Sequence, residues 1–315
     1  MNRINKSEQN VFVVLSSINP PNRTTVVDSL IKLRVTGNIY VITSNKFFNS
    51  WKKITPLVHE VMYDSTSKSR VFLRKFLLRS KILRLLIRFL INLNSWCVEP
   101  QILMQPHSAR HFEYLKVLNK LKSDDWVFLV DSRDLIFQVS PVVIAADLAK
   151  KGNLHVFDER SRFFKDGKIQ KNRSSAANWK WAQQVSNYDS SLLDPIANNW
   201  ILNSGCIAGT VSALSELLLD SCGLLANSID SPFALLDQGS LNVLSYSNKY
   251  RHKVTLNENG KVVLNMCGVP TDKFENIDGI MMCEGRTIPI VHQFDRFGVW
   301  TSESGLVLNR REFSI

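Results

Sequence analysis

The run Trp126-Val127-Phe128-Leu129-Val130, followed at once by Asp131-Ser132-Arg133-Asp134, decides how the chain reads. Five consecutive apolar residues with no alternating polar position fit a strand covered on both faces, as in a parallel sheet carrying helices. Upstream, Val11 to Ser17 has the same character, and Asn38 to Ser44 repeats it. Between them, Thr24 to Arg34 has helical spacing through Val27, Leu30 and Ile31, and Gly37 follows where a helix would stop. A β-α-β opening within about 35 residues predicts an α/β fold with a mixed, mostly parallel sheet flanked by helices. The first strand is followed by Ser-Ser-Ile-Asn-Pro-Pro rather than a glycine-rich loop, which excludes a dinucleotide fingerprint and a P-loop.

Downstream, His107 to Leu121 is helical in pattern and leads into the central strand, and Leu154 to Phe157 predicts another strand. A polar, aromatic stretch with Trp179, Trp181 and Tyr188 follows. Trp200 to Leu202 then reads as a strand ending in Asn203-Ser204-Gly205-Cys206-Ile207-Ala208-Gly209. Ser212 to Leu225 is helical, Asp237 opens a further helix, and the tail holds short strands, including Pro289-Ile290-Val291-His292. No repeat and no Pro/Ser-rich linker interrupts the chain. The expected organisation is one domain, 1–315, with a basic helical insertion at 66–98 and a C-terminal extension at about 255–315.

Apolar residues at 44% and charged residues at 21% are those of an ordinary globular protein. The charge, +11, is unevenly placed. Between Asp64 and Glu99 there is no acid but eight bases, Lys68, Arg70, Arg74, Lys75, Arg79, Lys81, Arg84 and Arg88; without them the net charge is +3. At about 100° per residue, Arg70, Arg74, Lys81, Arg84 and Arg88 fall within about 40° of one line, beside a broad Phe, Leu and Ile face. That pattern fits a helix at 69–91 lying on an anionic membrane, or a core helix whose basic edge faces solvent or substrate phosphates. Without an aromatic stacking platform, and with the basic character local, nucleic acid is not an expected partner. The five cysteines are scattered and odd in number, so buried free thiols are expected rather than disulfides or a zinc knuckle. No run of about 18 uncharged apolar residues occurs, and the first apolar run is short for a secretory segment. A cytoplasmic protein, soluble or peripheral on the inner face of the cytoplasmic membrane, is expected.

The chemistry concentrates at strand ends. Asp131 and Asp134 lie just beyond the central strand, where open α/β sheets bind ligands, and their oxygens suit a hard divalent cation, Mn²⁺ or Mg²⁺. An Asp-Arg turn pair capping the next segment is the structural alternative. Asn203, Asp237 and Gln238 supply polar groups for orienting a substrate, though an Asp at a helix start is also a common cap. In His292-Gln293-Phe294-Asp295-Arg296, His292 can complete a metal shell and Arg296 can pair with phosphate.

Taken in order, these elements resemble the GT-A glycosyltransferases. The likeness is to members carrying Asp-x-Arg-Asp, Asn-x-Gly-x-x-x-Gly, Asp-Gln-x-x-x-Asn and His-Gln-x-Asp-Arg. Here they are Asp131 to Asp134, Asn203 to Gly209, Asp237 to Asn242 and His292 to Arg296. The order is also similar to retaining glycogenin-type galactosyl- and glucosyltransferases, and to bacterial enzymes of O-antigen and capsule polysaccharide. The resemblance implies transfer of a hexose such as galactose from a nucleotide-diphosphate donor, UDP-linked, to a glycan or lipid-linked glycan. It implies Asp131 at the ribose and metal, Asp134 and His292 at the metal, and Arg110 near the diphosphate. It places the nucleoside at Ser16, Ser17 and Asn19, and Asp237 and Gln238 beside the reacting sugar. Arg133 stands where the second Asp usually is, so it is itself a candidate phosphate partner. Two rivals are a nucleotidyltransferase of related fold and a non-catalytic membrane-binding module on a decayed transferase fold.

Overall fold

The computed structural model describes residues 10–17, 25–35, 38–44, 48–50, 58–63, 106–165, 168–169, 173–228, 236–268, 273–294, 299–302 and 305–308. The basic segment 69–91, Asn19, Arg296 and Cys97 lie outside the described residues. The main strands are β1 (Val11–Ser17), β2 (Ile39–Ser44), β3 (Val58–Tyr63), β4 (Trp126–Asp131), β5 (Leu135–Phe137) and β6 (Leu154–Arg162). They continue as β7 (Trp200–Thr210), β8 (Thr255–Asn257), β9 (Val263–Asn265) and β10 (Ile290–His292). The helices are α1 (Thr25–Lys32), α2 (Pro106–Leu118), α3 (Pro141–Leu148), α4 (Arg173–Val185), α5 (Val211–Asn227) and α6 (Leu236–Tyr246).

Seven strands form one sheet in the order β8-β6-β7-β4-β1-β2-β3. β7 runs antiparallel to both β4 and β6, and the other pairings are parallel. This is the mixed, mostly parallel, Rossmann-like α/β architecture expected from the opening strands. Alternate residues of each strand feed separate cores. Val14, Val127 and Leu129 pack under α2, α5 and α6, whereas Val13, Leu15, Phe128 and Val130 pack with α1 and α3. Burial on both faces is what a continuous apolar strand demands. β3 and α4 were not legible beforehand. α4 (RSSAANWKWAQQV) is rich in Ser and Asn, which compete with helix formation, so tertiary contacts hold it. Trp179 meets Phe163 and Phe164 edge-on, with centroids 5.9 and 4.7 Å away. Gly239 lets α6 approach closely, since a Cβ there would lie 2.8 Å from the Trp181 carbonyl oxygen.

A second, three-stranded sheet, β9-β10-β5, joins the C-terminal strands to the segment just after the acidic turn. Its own small core includes Ile136, Leu264, Met281 and Val291. Two corrections to the sequence reading follow. Asn203-Ser204-Gly205 is not at a strand end but inside β7, which continues to Thr210 because β4 and β6 pair with it on both sides. Of the described cysteines, Cys206, Cys222 and Cys283 are buried free thiols as expected, but Cys267 is exposed, on the single 3-10 turn that follows β9. Among the described residues no helix is long and apolar enough to cross a membrane.

Candidate active site

The carboxyl ends of β1, β4 and β6 share one edge of the main sheet. There Ser16 is the register partner of Asp131 across the parallel β1–β4 pair. The chain then bends through Ser132 and Arg133 so that Asp134 faces the same place, and this bend is tied on two sides. Thr25 Oγ1 contacts the carbonyl oxygens of Arg133 and Leu135, at 2.8 and 2.9 Å. The Gln293 amide donates to the Asp134 carbonyl at 2.7 Å, bringing the end of β10 against the turn. Gln293 adopts a left-handed φ of 64°, an uncommon conformation for a side chain of its size, directly after His292.

These constraints assemble a trio. Ligand atoms of Asp131, Asp134 and His292 all lie within 4.8 Å of one another. His292 Nε2 is 3.3 Å from Asp131 Oδ2 and 3.6 Å from Asp134 Oδ1, charge contacts rather than aligned hydrogen bonds. Two carboxylates and an imidazole suit a divalent cation such as Mn²⁺, and the buried Nε2, without a hydrogen bond among the described residues, is the donor such an ion needs. Burial disfavours a charged imidazole, but the two carboxylates outweigh it and push His292 up to about 9. Burial likewise opposes ionisation of Asp131, yet Arg110 and His292 hold its carboxyl well below the usual range. Asp134 is lowered too, with burial overcome chiefly by His292.

Arg110, in the first turns of α2, is the post on which the second group is built. It is buried, and one of its terminal nitrogens bonds Asp131 Oδ1. The other donates to Asp237 Oδ2 at 2.5 Å, to Ser204 Oγ at 2.9 Å and to the Ser204 carbonyl at 3.0 Å. Burial penalises this guanidinium, but Asp131 and Asp237 hold its pKa well above the ordinary value. Asp237 also accepts from Ser204 Oγ at 3.1 Å, and its Oδ1 is buried with no hydrogen bond among the described residues.

Asn203 and Gln238 meet at a residue that sequence reasoning missed. Glu159 Oε1 accepts from Asn203 Nδ2 at 2.7 Å and from Gln238 Nε2 at 3.0 Å. Its sequence signal, an acid two places beyond the run Leu154 to Phe157, is close to the one that marked Asp131. Asn242 straps α6 to β7 through the main chain of Leu202, accepting at 2.8 Å and donating at 2.9 Å. Gly205 is where β7 passes the imidazole: a Cβ there would sit 2.3 Å from His292 Cε1. Arg133 is half-exposed and pairs with Asp134 at 3.3 Å. Ser17 lies on β1 and its side chain is not described, while Asn19 and Arg296 lie outside the described residues. The structure thus brings together Ser16, Arg110, Asp131, Arg133, Asp134, Asn203, Asp237, Gln238 and His292 through direct contacts or strand register.

No protein-family model matches the sequence, and no curated protein matches it. Among solved structures, the chain is similar to 4-diphosphocytidyl-2C-methyl-D-erythritol synthase from Anaerococcus prevotii DSM 20548. That likeness has 10% identity and a TM-score of 0.40, and covers 79% of this chain and 89% of that one.

Proposed function

We propose that the protein is a GT-A-type glycosyltransferase that moves a hexose from a UDP-linked donor to a glycan or lipid-linked glycan. The observation that carries the proposal is the meeting of Asp131, Asp134 and His292 at the ligand-binding edge of the sheet. Asp131, Asp134 and His292 would hold a divalent cation, which when bound supplies charge neutralisation for the diphosphate leaving group. Arg110 fixes Asp131 and Asp237 relative to each other, so the groups assigned to the cation and to the sugar share one post. Asp237, with one oxygen that has no hydrogen bond among the described residues, and Gln238, held by Glu159, are the groups assigned to orienting the sugar. Orientation of this kind is a large part of what group transfer requires of an enzyme. Ser16, Ser17 and Asn19 are assigned to the nucleoside, and Arg133 and Arg296 to phosphate. The proposal also includes the single-domain organisation, and peripheral attachment of 69–91 to the anionic inner face of the cytoplasmic membrane.

Incubation with UDP-hexoses and Mn²⁺, with or without a glycan acceptor, tests the reading. Release of UDP that EDTA abolishes is expected. Release of pyrophosphate from a nucleoside triphosphate would instead establish nucleotidyl transfer, and neither product would leave a binding module.

A further inference from the structure

We infer that Asn265, to which no role has been assigned, is a positioning residue of the cation site. Its side-chain amide holds His292 in the tautomer that offers Nε2 to the ion. The inference rests on the proposed cation reading and extends it to a residue that touches neither ion nor substrate.

The argument is one of hydrogen-bond direction. Asn265 and His292 are register partners across the parallel β9–β10 pair, and both are buried. A carboxamide has one end that only donates and one that only accepts. The Asn265 Nδ2 end donates to the Asp158 carbonyl oxygen at 2.8 Å. Turning the amide over would press its oxygen against that carbonyl, two acceptors face to face in a buried site. Oδ1 therefore faces His292, 2.8 Å from Nδ1. Only a protonated Nδ1 can donate to it, so when an ion takes the place of the Nε2 proton the remaining hydrogen stays on Nδ1 and the lone pair is on Nε2. Nε2 is the nitrogen that points at Asp131 and Asp134.

The amide is itself held still. Asn259 clamps the main chain of Asn265 from both sides: Oδ1 accepts from the Asn265 amide at 2.7 Å, and Nδ2 donates to its carbonyl at 3.0 Å. The Asn259 amide donates in turn to Asp158 Oδ1 at 3.3 Å. On the other side of the imidazole, the bare α-carbon of Gly205 leaves the ring no more room than it needs. The ring is thus confined by Gly205 and oriented by the Asn265 acceptor. Outer partners of metal-bound histidines typically contribute 10–100-fold in metal affinity.

Titration of the whole chain with Mn²⁺ alone, followed by calorimetry or by the free-ion EPR signal, tests the inference in wild type, Asn265→Leu and Asn265→Asp. The Leu variant, lacking the acceptor, should bind Mn²⁺ about 10–100-fold more weakly. The Asp variant restores an acceptor for Nδ1–H and should recover most of the affinity. It also sets an oxygen against the Asp158 carbonyl, so it should be no more stable to urea than the Leu variant. Affinity that follows the acceptor while stability does not is the signature of positioning. Affinity that falls only in step with stability, or equal binding by wild type and Asn265→Leu, overturns the inference. Should the Leu variant not fold, imidazole ¹⁵N NMR of Zn²⁺-loaded wild type decides. A protonated Nδ1 with metal on Nε2 is expected, and metal on Nδ1 refutes it. If wild type binds neither ion, the cation reading fails first and this inference falls with it.

Discussion

Gly205→Ala tests the cation site at its tightest point. The added methyl carbon would lie 2.3 Å from His292 Cε1, 2.6 Å from Nε2 and 2.8 Å from Asn203 Oδ1. Ordinary carbon contacts begin near ~3.5 Å, so something must move by about an ångström. β7 is anchored on either side of Gly205, to β6 through Asn203 and Ile207 and to β4 from Cys206 onward, which limits how far it can retreat. The imidazole cannot swing without losing its 2.8 Å bond to Asn265. Asn203 is held by Glu159 at 2.7 Å. Overpacking of a well-filled interior costs about 1–3 kcal/mol, and a shift of the nitrogen by an ångström takes it off the line to both carboxylates. The expected result is that Gly205→Ala folds with roughly that loss in urea denaturation and that its affinity for Mn²⁺ falls by at least about tenfold, on the scale of disturbed metal ligands. Wild-type Mn²⁺ affinity in a folded Gly205→Ala protein would show that His292 is not a ligand.

Asp237→Asn keeps shape but removes the charge facing Arg110, and it should depress turnover well beyond its effect on UDP affinity, measured by kinetics and calorimetry side by side; an equal loss of both would place Asp237 on the donor side. His111 is buried, which with the neighbouring Arg110 outweighs Asp237 and lowers its pKa from 6.5 to about 4. The unfolded chain therefore takes up a proton between those values that the folded one refuses, so stability is full above pH 6.5 and is lost as the pH falls toward 4, by roughly 3 kcal/mol. His111→Asn keeps a donor for Ser221 and cannot titrate, so urea curves should show wild type losing that much more than the variant; parallel curves would contradict it. Finally, Gln in place of Arg70, Arg74, Lys81, Arg84 and Arg88 should release the protein from anionic liposomes, since each base near such a surface contributes about 1 kcal/mol. Wild-type protein that ignores such liposomes at low salt would remove the membrane from the proposal.

The strands that build the main sheet were legible because burial on both faces leaves a local mark. Val11 to Ser17, apolar through Leu15, and Trp126 to Val130, apolar throughout, emerge as β1 and β4 with at most one residue's difference. β7 shows the limit of that mark. Its residues Asn203, Ser204 and Gly205 look like a strand giving way to a loop, yet they are buried mid-strand. The polar side chains are satisfied by Glu159, Arg110 and Asp237, and the glycine is required by the imidazole beside it. Polarity inside a strand signals an end only when no partner is waiting across the sheet.

The site was legible in its ends and illegible in its seams. Asp131, Asn265 and His292 each close a strand after an apolar run, so one local rule marks these three, whereas Asp134 follows in the turn and Glu159 lies within β6. That rule alone ranks Asn265 no higher than any other strand-terminal asparagine. What distinguishes it is the pairing of β9 with β10, and of β10 with β5, which carries His292 to the turn at Asp131 and Asp134. That pairing joins residues about 25 to 160 positions apart and is set by the packing of Ile136, Leu264 and Val291, side chains that carry no chemistry. The trio therefore depends on the apolar seam that joins the strands of the second sheet as much as on its own charges. A substitution that loosens that seam should weaken the site without touching a single ligand.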